Sequence, residues 1–120
     1  MAEVLNHLGV TTYRLNDFPT ARQVFIEALG TALNAQATSV VPVVLVNLAG
    51  LLAHEDAAEQ ALELVSHVLH HPASSPETKA HAERLRTELA AHLTPQQIDA
   101  AQVRAQAQSF EALVADMLKA

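Results

Sequence analysis

The sequence contains no cysteine and no tryptophan, and it has few aromatic and few basic residues. Without cysteine the chain can form neither a disulfide framework nor a cysteine-ligated zinc site, and a reducing cytoplasm is its expected location. The net charge of −6 argues against direct binding to nucleic acid, because neutralising phosphates requires a basic face. These absences exclude several classes of protein before any motif is considered.

A long apolar run and a basic leader are also missing. The N-terminal segment MAEVLNHLG has no basic head, so we expect no signal peptide. The most apolar run, residues 40–53, is shorter than the roughly 20 residues that span a bilayer. It is also interrupted by Pro42, Asn47 and Gly50. We therefore expect a buried helix and no contact with a membrane.

The sequence shows no recognisable catalytic signature. The three glycines are scattered and form no phosphate-binding loop, and neither a nucleophile elbow nor an H-E-x-x-H motif occurs. His81 and Glu83 have the H-x-E spacing of zinc deaminases, but that site also needs cysteines. We therefore predict that the chain is not an enzyme and uses no cofactor.

Three of the seven histidines, His67, His70 and His71, cluster at the end of a predicted helix. His67 and His71 are spaced i, i+4, so both could face one divalent metal ion. The alternative is that histidines at a helix C-terminus interact with the exposed carbonyl groups and the helix dipole. We prefer the alternative and predict no functional metal site.

Helical periodicity runs through most of the chain, and no strand pattern competes with it. Half of the residues are hydrophobic, and most of these are Ala, Leu and Val, which suit packed helices. We therefore predict an all-α fold of six or seven helices. The first helix carries the apolar stripe Leu5, Leu8, Thr12 and Leu15, and the second ends near Asn34. The remaining helices are predicted at about 40–54, 56–70, 76–92, from 95 onwards and at 110–119.

Capping residues mark the starts of these helices. Ser74 to Glu77 and Thr94 to Gln97 both fit a capping box with proline in the first turn. Asp17 is a candidate cap for the second helix, and Thr38 or Ser39 for the third.

Two segments of the chain can be aligned with each other. HLGVTTYRLNDFPTARQVFIEAL and NLAGLLAHEDAAEQALELVSHVL both indicate helix, short turn, helix, and the offset from Gly9 to Ala49 is 40 residues. Such a unit cannot bury its apolar face alone and stacks on its neighbours. We predict one domain, residues 1–120, with repeat 1 at about 2–34, repeat 2 at about 40–71 and divergent helices at about 76–119.

The first unit resembles the tetratricopeptide (TPR) family. The positions that carry the resemblance are Leu8, Gly9, Asp17, Phe18, Ala21, Phe25, Ala28 and Leu29. The second unit keeps Leu48, Ala61 and Leu69, with Ala49 in place of the glycine and Val65 in place of the aromatic. The resemblance implies helical hairpins stacked as a right-handed α–α superhelix, in which Gly9 and Ala21 allow close approach of the paired helices.

The rest of the chain, residues 71–118, resembles the end of the TPR-like sensor region in large bacterial signal-transduction ATPases, many of them LuxR-type transcriptional regulators. The resemblance rests on the HPA…ET pattern from His71 and on a short closing helix that begins SFEALV at Ser109. It implies a cytoplasmic sensor or scaffolding segment that acts by protein–protein interaction.

In TPR proteins the first helix of each pair lines a concave, partner-binding surface. Carried onto this sequence, the resemblance implies a groove lined by Glu3, Asn6, Val10, Tyr13, Arg14, Val43, Val46, Asn47, Gly50 and His54. The first lysine of the chain is Lys79, so the lysine-rich clamp with which some TPR proteins hold a carboxylate is absent. A groove of this composition suits an apolar peptide or helix from a protein partner.

Two questions about the groove stay open at the level of sequence. Val43 and Val46 either contact the partner or are buried against a neighbouring helix, whereas Tyr13, Arg14 and His54 are the stronger candidates for contact. The occupant is a peptide in the first hypothesis. In the alternative hypothesis it is an apolar small-molecule effector in the same groove.

Self-association is a further expectation. The chain starts within helical periodicity, without the polar capping helix that repeat stacks need for solubility. Val4 and Leu8 would then be bare unless another chain covers them. At the other end, Phe110, Leu113, Val114 and Met117 could fold back on the chain or dock on a second copy. We therefore predict a homodimer.

Overall fold

The computed structural model describes residues 2–119, and within this range it contains seven α-helices and no strand. The helices are α1 (Ala2–Arg14), α2 (Phe18–Asn34), α3 (Val40–His54), α4 (Ala58–His70), α5 (Pro76–Ala91), α6 (Pro95–Ala107) and α7 (Phe110–Lys119). The predicted all-α class is confirmed. Met1 and Ala120, the two ends of the predicted domain, lie outside the described residues.

The cap of α6 is the one that the sequence predicted in full. The Thr94 hydroxyl accepts a hydrogen bond from the Gln97 N–H at 3.1 Å, and the Gln97 side-chain oxygen accepts from the Thr94 N–H at 2.9 Å. This reciprocal pair satisfies two backbone donors that a helix start otherwise leaves unpaired.

The capping box predicted at Ser74 to Glu77 is wrong in its register. The N-cap of α5 is Ser75, whose hydroxyl accepts from the Thr78 N–H at 3.1 Å, so the third helical position is a threonine and not Glu77. Ser74 instead donates to the Val68 carbonyl at 2.7 Å and closes the end of α4. At α2 and α3 the N-cap residues are Asp17 and Ser39, and neither side chain makes a capping hydrogen bond.

The turns α1–α2 and α3–α4 share two backbone hydrogen bonds at an offset of 40 residues. In the first turn the Asp17 N–H donates to the Thr12 carbonyl at 3.0 Å; in the second the Ala57 N–H donates to the Leu52 carbonyl at 2.9 Å. Asn16 and Asp56 take up the left-handed conformation at the same point, with φ of 65° and 61°. Asn and Asp tolerate this conformation better than most residues, which explains why each hairpin turns there.

The first four helices pack as two neighbouring pairs around α3, whereas α5 and α6 each pack on α4 and not on each other. Helix α1 packs on α2, α3 on α4, and α2 and α5 flank α3, with α1 and α5 both touching it. Nine of the fifteen residues of α3 are buried, as expected for an uncharged helix that is apolar on all sides. No helix among residues 2–119 combines the length and apolar character that crossing a bilayer requires.

The packing face of α1 differs from the predicted one. Leu8 and Leu15 of the predicted stripe are 49% and 73% exposed. Helix α1 turns Gly9 toward α2, as the resemblance implied for this glycine, and the Phe25 ring fills the space where a side chain at position 9 would lie. A Cβ atom placed on Gly9 would be 2.5 Å from Cε1 of Phe25, so only hydrogen fits there.

The last two helices return to earlier parts of the chain. Helix α6 packs on α4 through the buried Ala101 and Ala105, and Arg104 Nε donates to a Glu63 carboxylate oxygen at 2.7 Å. Helix α7 folds back on α2 and buries Leu113, Val114 and Met117. Of the two possibilities for the closing helix, packing on its own chain is therefore the one observed.

Candidate functional site

A depression of about 280 Å³ lies between α1, α3 and α5. Six of the residues predicted for the partner-binding groove line it: Val10, Tyr13, Arg14, Val46, Asn47 and Gly50. Phe25 of α2 and His81 of α5 complete the lining. The sequence prediction missed His81 because the repeat alignment stopped at residue 71. No repeat signal could have placed it, because α5 and α6 each pack on α4 and do not form a third hairpin with each other.

Asn6 and Asn47 connect α1 to α3 at the edge of this depression. The side-chain nitrogen of Asn47 donates to the side-chain oxygen of Asn6 at 2.9 Å, in a partly buried position. The Asn6 nitrogen and the Asn47 oxygen make no other hydrogen bond to a described residue. Neither atom is buried, so both are accessible to a bound segment and could pair with its backbone.

An aromatic cluster of Tyr13, Phe18 and His54 lies where the first turn meets the end of α3. The ring centroid of Tyr13 is 5.5 Å from that of Phe18 and 5.2 Å from that of His54, both edge to face. The rings of Phe18 and His54 stack at 5.3 Å. Such contacts hold the rings in fixed orientations and give the site a preorganised apolar edge.

Burial raises the pKa of the Tyr13 hydroxyl above its usual value, and the nearby carboxylate of Glu88 on α5 raises it further. Both effects disfavour the phenolate, because it would be poorly solvated and would lie near another negative charge. Tyr13 therefore keeps its proton and can donate a hydrogen bond at any pH near neutrality.

His54 lines a second cavity of about 530 Å³, which continues along α5 and includes Glu88 and His92. The contact between the Tyr13 and His54 rings joins this cavity to the depression around Val10. We call the combined surface the α1–α3–α5 groove. Although it contains both imidazoles and carboxylates, no histidine is hydrogen bonded to a carboxylate within residues 2–119, so no acid–base pair is assembled there.

The remaining predicted groove residues lie in different settings. Val46 belongs to the core and has almost no exposed surface, so it forms the floor of the depression and offers little area to a partner. This placement favours the core interpretation of that valine. Val43 is half-buried, and Glu3 is exposed on the first turn of α1.

The histidine cluster at the end of α4 does not converge on one point. His70 Nδ1 lies 2.8 Å from the Ser66 carbonyl, while His71 Nδ1 accepts from the Ala73 N–H at 3.1 Å. Nε2 of His67 is buried without a hydrogen-bond partner, and burial lowers the pKa of this imidazole. In the part of the chain that the structure describes, no three His, Asp or Glu side chains are grouped so that they could hold a metal ion.

Comparison of the chain with protein-family models, with curated proteins and with solved structures gave no match in any of the three. The function has therefore to be argued from the residues of this chain and their geometry.

Proposed function

We propose that this chain is a TPR-like interaction module that binds a peptide segment of a protein partner in the α1–α3–α5 groove. The observation that carries the proposal is that Val10 and Tyr13 of α1, Asn47 of α3 and His81 of α5 line one depression. Stacked hairpins bring their first helices to one surface, and α1 and α3 are the first helices of the two hairpins here. Helix α5 extends this surface by packing on α3 and α4. The equivalent turns at Asn16 and Asp56 support the same arrangement.

The chemistry of the groove defines the segment that it would accept. The depression offers apolar contact from Val10 and the Tyr13 ring, and the Asn6–Asn47 pair offers one donor and one acceptor beside it. An apolar side chain of the partner would fill the depression, while the adjacent peptide group would pair with the two amides. Arg14 is the one Lys or Arg side chain that lines the groove, so the several cations of a lysine-rich carboxylate clamp are not present there.

The resemblance of residues 71–118 to sensor regions of bacterial signalling proteins supports a regulatory role for this binding. In that role the module would report the presence of its partner to an ATPase or a transcriptional regulator. The proposal concerns the module alone, since no ATPase or DNA-reading motif occurs in the sequence.

The groove can be tested with peptides selected against the chain from a random display library. We expect selected peptides to shift amide resonances of α1, α3 and α5 in NMR titrations. Gly50→Leu should weaken their binding by about 30-fold, the effect of losing a 2 kcal/mol hot spot, because the new side chain would occupy the depression. Tyr13→Ala should have a similar effect.

A matched control is Val103→Ala, which truncates an exposed residue on α6, away from the groove. This variant should bind the peptides as the parent does. Peptides that bind Gly50→Leu and Tyr13→Ala unchanged, or that shift resonances only outside α1, α3 and α5, would refute the assignment of the groove.

We also propose that a second copy of the chain covers the outer face of α1. Val4 and Leu8 are 65% and 49% exposed and lie on one side of α1, together with Thr11. Leu15, the residue directly after the helix, is 73% exposed. The Thr11 hydroxyl is bonded to the His7 carbonyl at 3.0 Å, and no Asp, Glu, Lys or Arg interrupts the stripe. An uncharged face can meet its own copy across a twofold axis without like-charge repulsion.

If α1 forms the dimer interface, a charge placed on its outer face should separate the two copies. Leu8→Asp should convert the protein to a monomer in sedimentation-velocity experiments, because two carboxylates would face each other across the axis. Val103→Asp places the same charge at another exposed apolar position and should leave the mass unchanged. A monomeric parent at millimolar concentration would contradict the proposal.

A further inference from the structure

A further cavity, of about 390 Å³, shares no lining residue with the α1–α3–α5 groove and has a more apolar lining. It is bounded by Val114, Ala115 and Leu118 of α7, by Leu33 at the end of α2 and by Val41 at the start of α3. Its volume is within the range of about 300–1,000 Å³ that is typical of small-molecule sites. Helix α7 forms one wall of the cavity, so the cavity exists only while α7 is packed against α2.

The rim of this cavity exposes large apolar side chains. Leu33 and Leu118 are each 39% exposed, and both line the cavity. Leu118 packs against Gly30 of α2, where a Cβ atom would lie 3.6 Å from Leu118 Cδ2. Two leucines held at the opening of an apolar recess leave hydrocarbon surface that a ligand of matching character would cover.

The polar groups of the lining are Thr38, His71 and Glu111. His71 is fixed by a tilted ring contact with Phe110, with ring centroids 4.1 Å apart and an angle of 36° between the ring planes, and by the hydrogen bond that its Nδ1 accepts from the Ala73 N–H. Since Nδ1 accepts, the proton of the neutral ring is on Nε2. The imidazole is therefore held in place as part of the wall.

Glu111 is the only carboxylate in the lining, and no lysine or arginine lines the cavity. Within residues 2–119 it forms no ion pair. A ligand with an anionic head would meet a like charge here, whereas an amine would meet an opposite one. The negative charge of Glu111 therefore favours an amine over a carboxylic acid with the same apolar body.

We propose that this cavity binds a small alkyl or arylalkyl amine, with its apolar body between Leu33, Val41 and Leu118 and its ammonium group beside Glu111. Binding would stabilise the docking of α7, because the ligand would contact α7 on one side and α2 and α3 on the other. The site is separate from the α1–α3–α5 groove and does not depend on the function proposed for that groove.

The test uses the fluorescence of N-phenyl-1-naphthylamine, a neutral apolar probe, with the full chain. We expect the probe to bind and decylamine to displace it at concentrations about fivefold lower than decanoate, as suits a partly solvated charge contact. Glu111→Gln should abolish this difference between amine and acid. Equal displacement by the two ligands with the parent chain would overturn the assignment of the ligand class.

Two alanines of α7 allow a matched pair of variants that tests where the ligand binds. Ala115 lines the cavity, whereas Ala112 is exposed on the same helix and does not. Ala115→Phe should fill the cavity and remove probe binding, and Ala112→Phe should retain it. In the parent, ligand addition should shift the methyl resonances of Leu33 and Leu118. Probe binding by Ala115→Phe, or unshifted methyl groups, would overturn the site.

Discussion

Replacing Gly9 by leucine is expected to lower the free energy of unfolding by about 3 kcal/mol, the upper end of what overpacking a core costs. A Cβ atom at this position would lie 2.5 Å from Cε1 and 2.6 Å from Cδ1 of Phe25. The Phe25 ring is buried and cannot move into solvent to relieve the contact. Urea denaturation followed by circular dichroism at 222 nm would show the loss as a lower midpoint.

Gly50→Leu is the matched control, because it makes the same change in a helix where a Cβ atom meets nothing within 4 Å. Leucine has a higher helix propensity than glycine, so this variant should gain roughly 0.5–1 kcal/mol. A stability loss at Gly9 together with a stability gain at Gly50 would establish the close approach of α1 to Phe25. An equal loss at both positions would contradict that packing.

The helices could be predicted from the sequence because each has a strong local signal. The uncharged run of α3 indicates enclosure, and proline with a capping hydroxyl marks the starts of α5 and α6 near Ser75 and Thr94. The sequence predicts that α4 begins at about Asp56, two residues before its observed start at Ala58. Asp56 instead adopts a positive φ in the preceding turn.

The packed face of α1 could not be predicted from hydrophobic periodicity. The stripe through Leu8 and Leu15 is more apolar than the face that carries Gly9, yet the glycine face is the one that packs. Packing depends here on which face admits the Phe25 ring, and that is a property of two helices together. A periodic pattern read along one helix contains no information about the shape of the other.

The candidate site was predictable only as far as the repeat alignment extended. Within residues 2–71 the alignment identified Val10, Tyr13 and Asn47, which the structure brings together. It could not place His81 and Glu88, because α5 has no counterpart in the aligned units. It also could not decide whether Val46 is core or surface, since both settings suit a valine on an apolar helix.

Phe25→Ala is expected to cost about 3–5 kcal/mol of stability, as large-to-small changes of buried aromatics do. The ring packs against Gly9 and also forms part of the wall of the depression, so its loss would leave a void between the first hairpin and α3. Phe18→Ala removes the same ring from a half-buried position in the aromatic cluster, and its cost should be clearly smaller. Chemical denaturation of both variants provides the comparison.

Combining Gly9→Leu with Phe25→Ala tests whether the two effects share one contact. The leucine added to α1 would enter the space that the missing ring leaves, so the double variant should be more stable than the sum of the two single losses predicts. Coupling between residues in contact is typically about 0.5–3 kcal/mol, whereas separated sites add independently. Additive losses would mean that the glycine and the phenylalanine do not meet. The close pairing of α1 and α2, on which the proposed groove depends, would then be wrong.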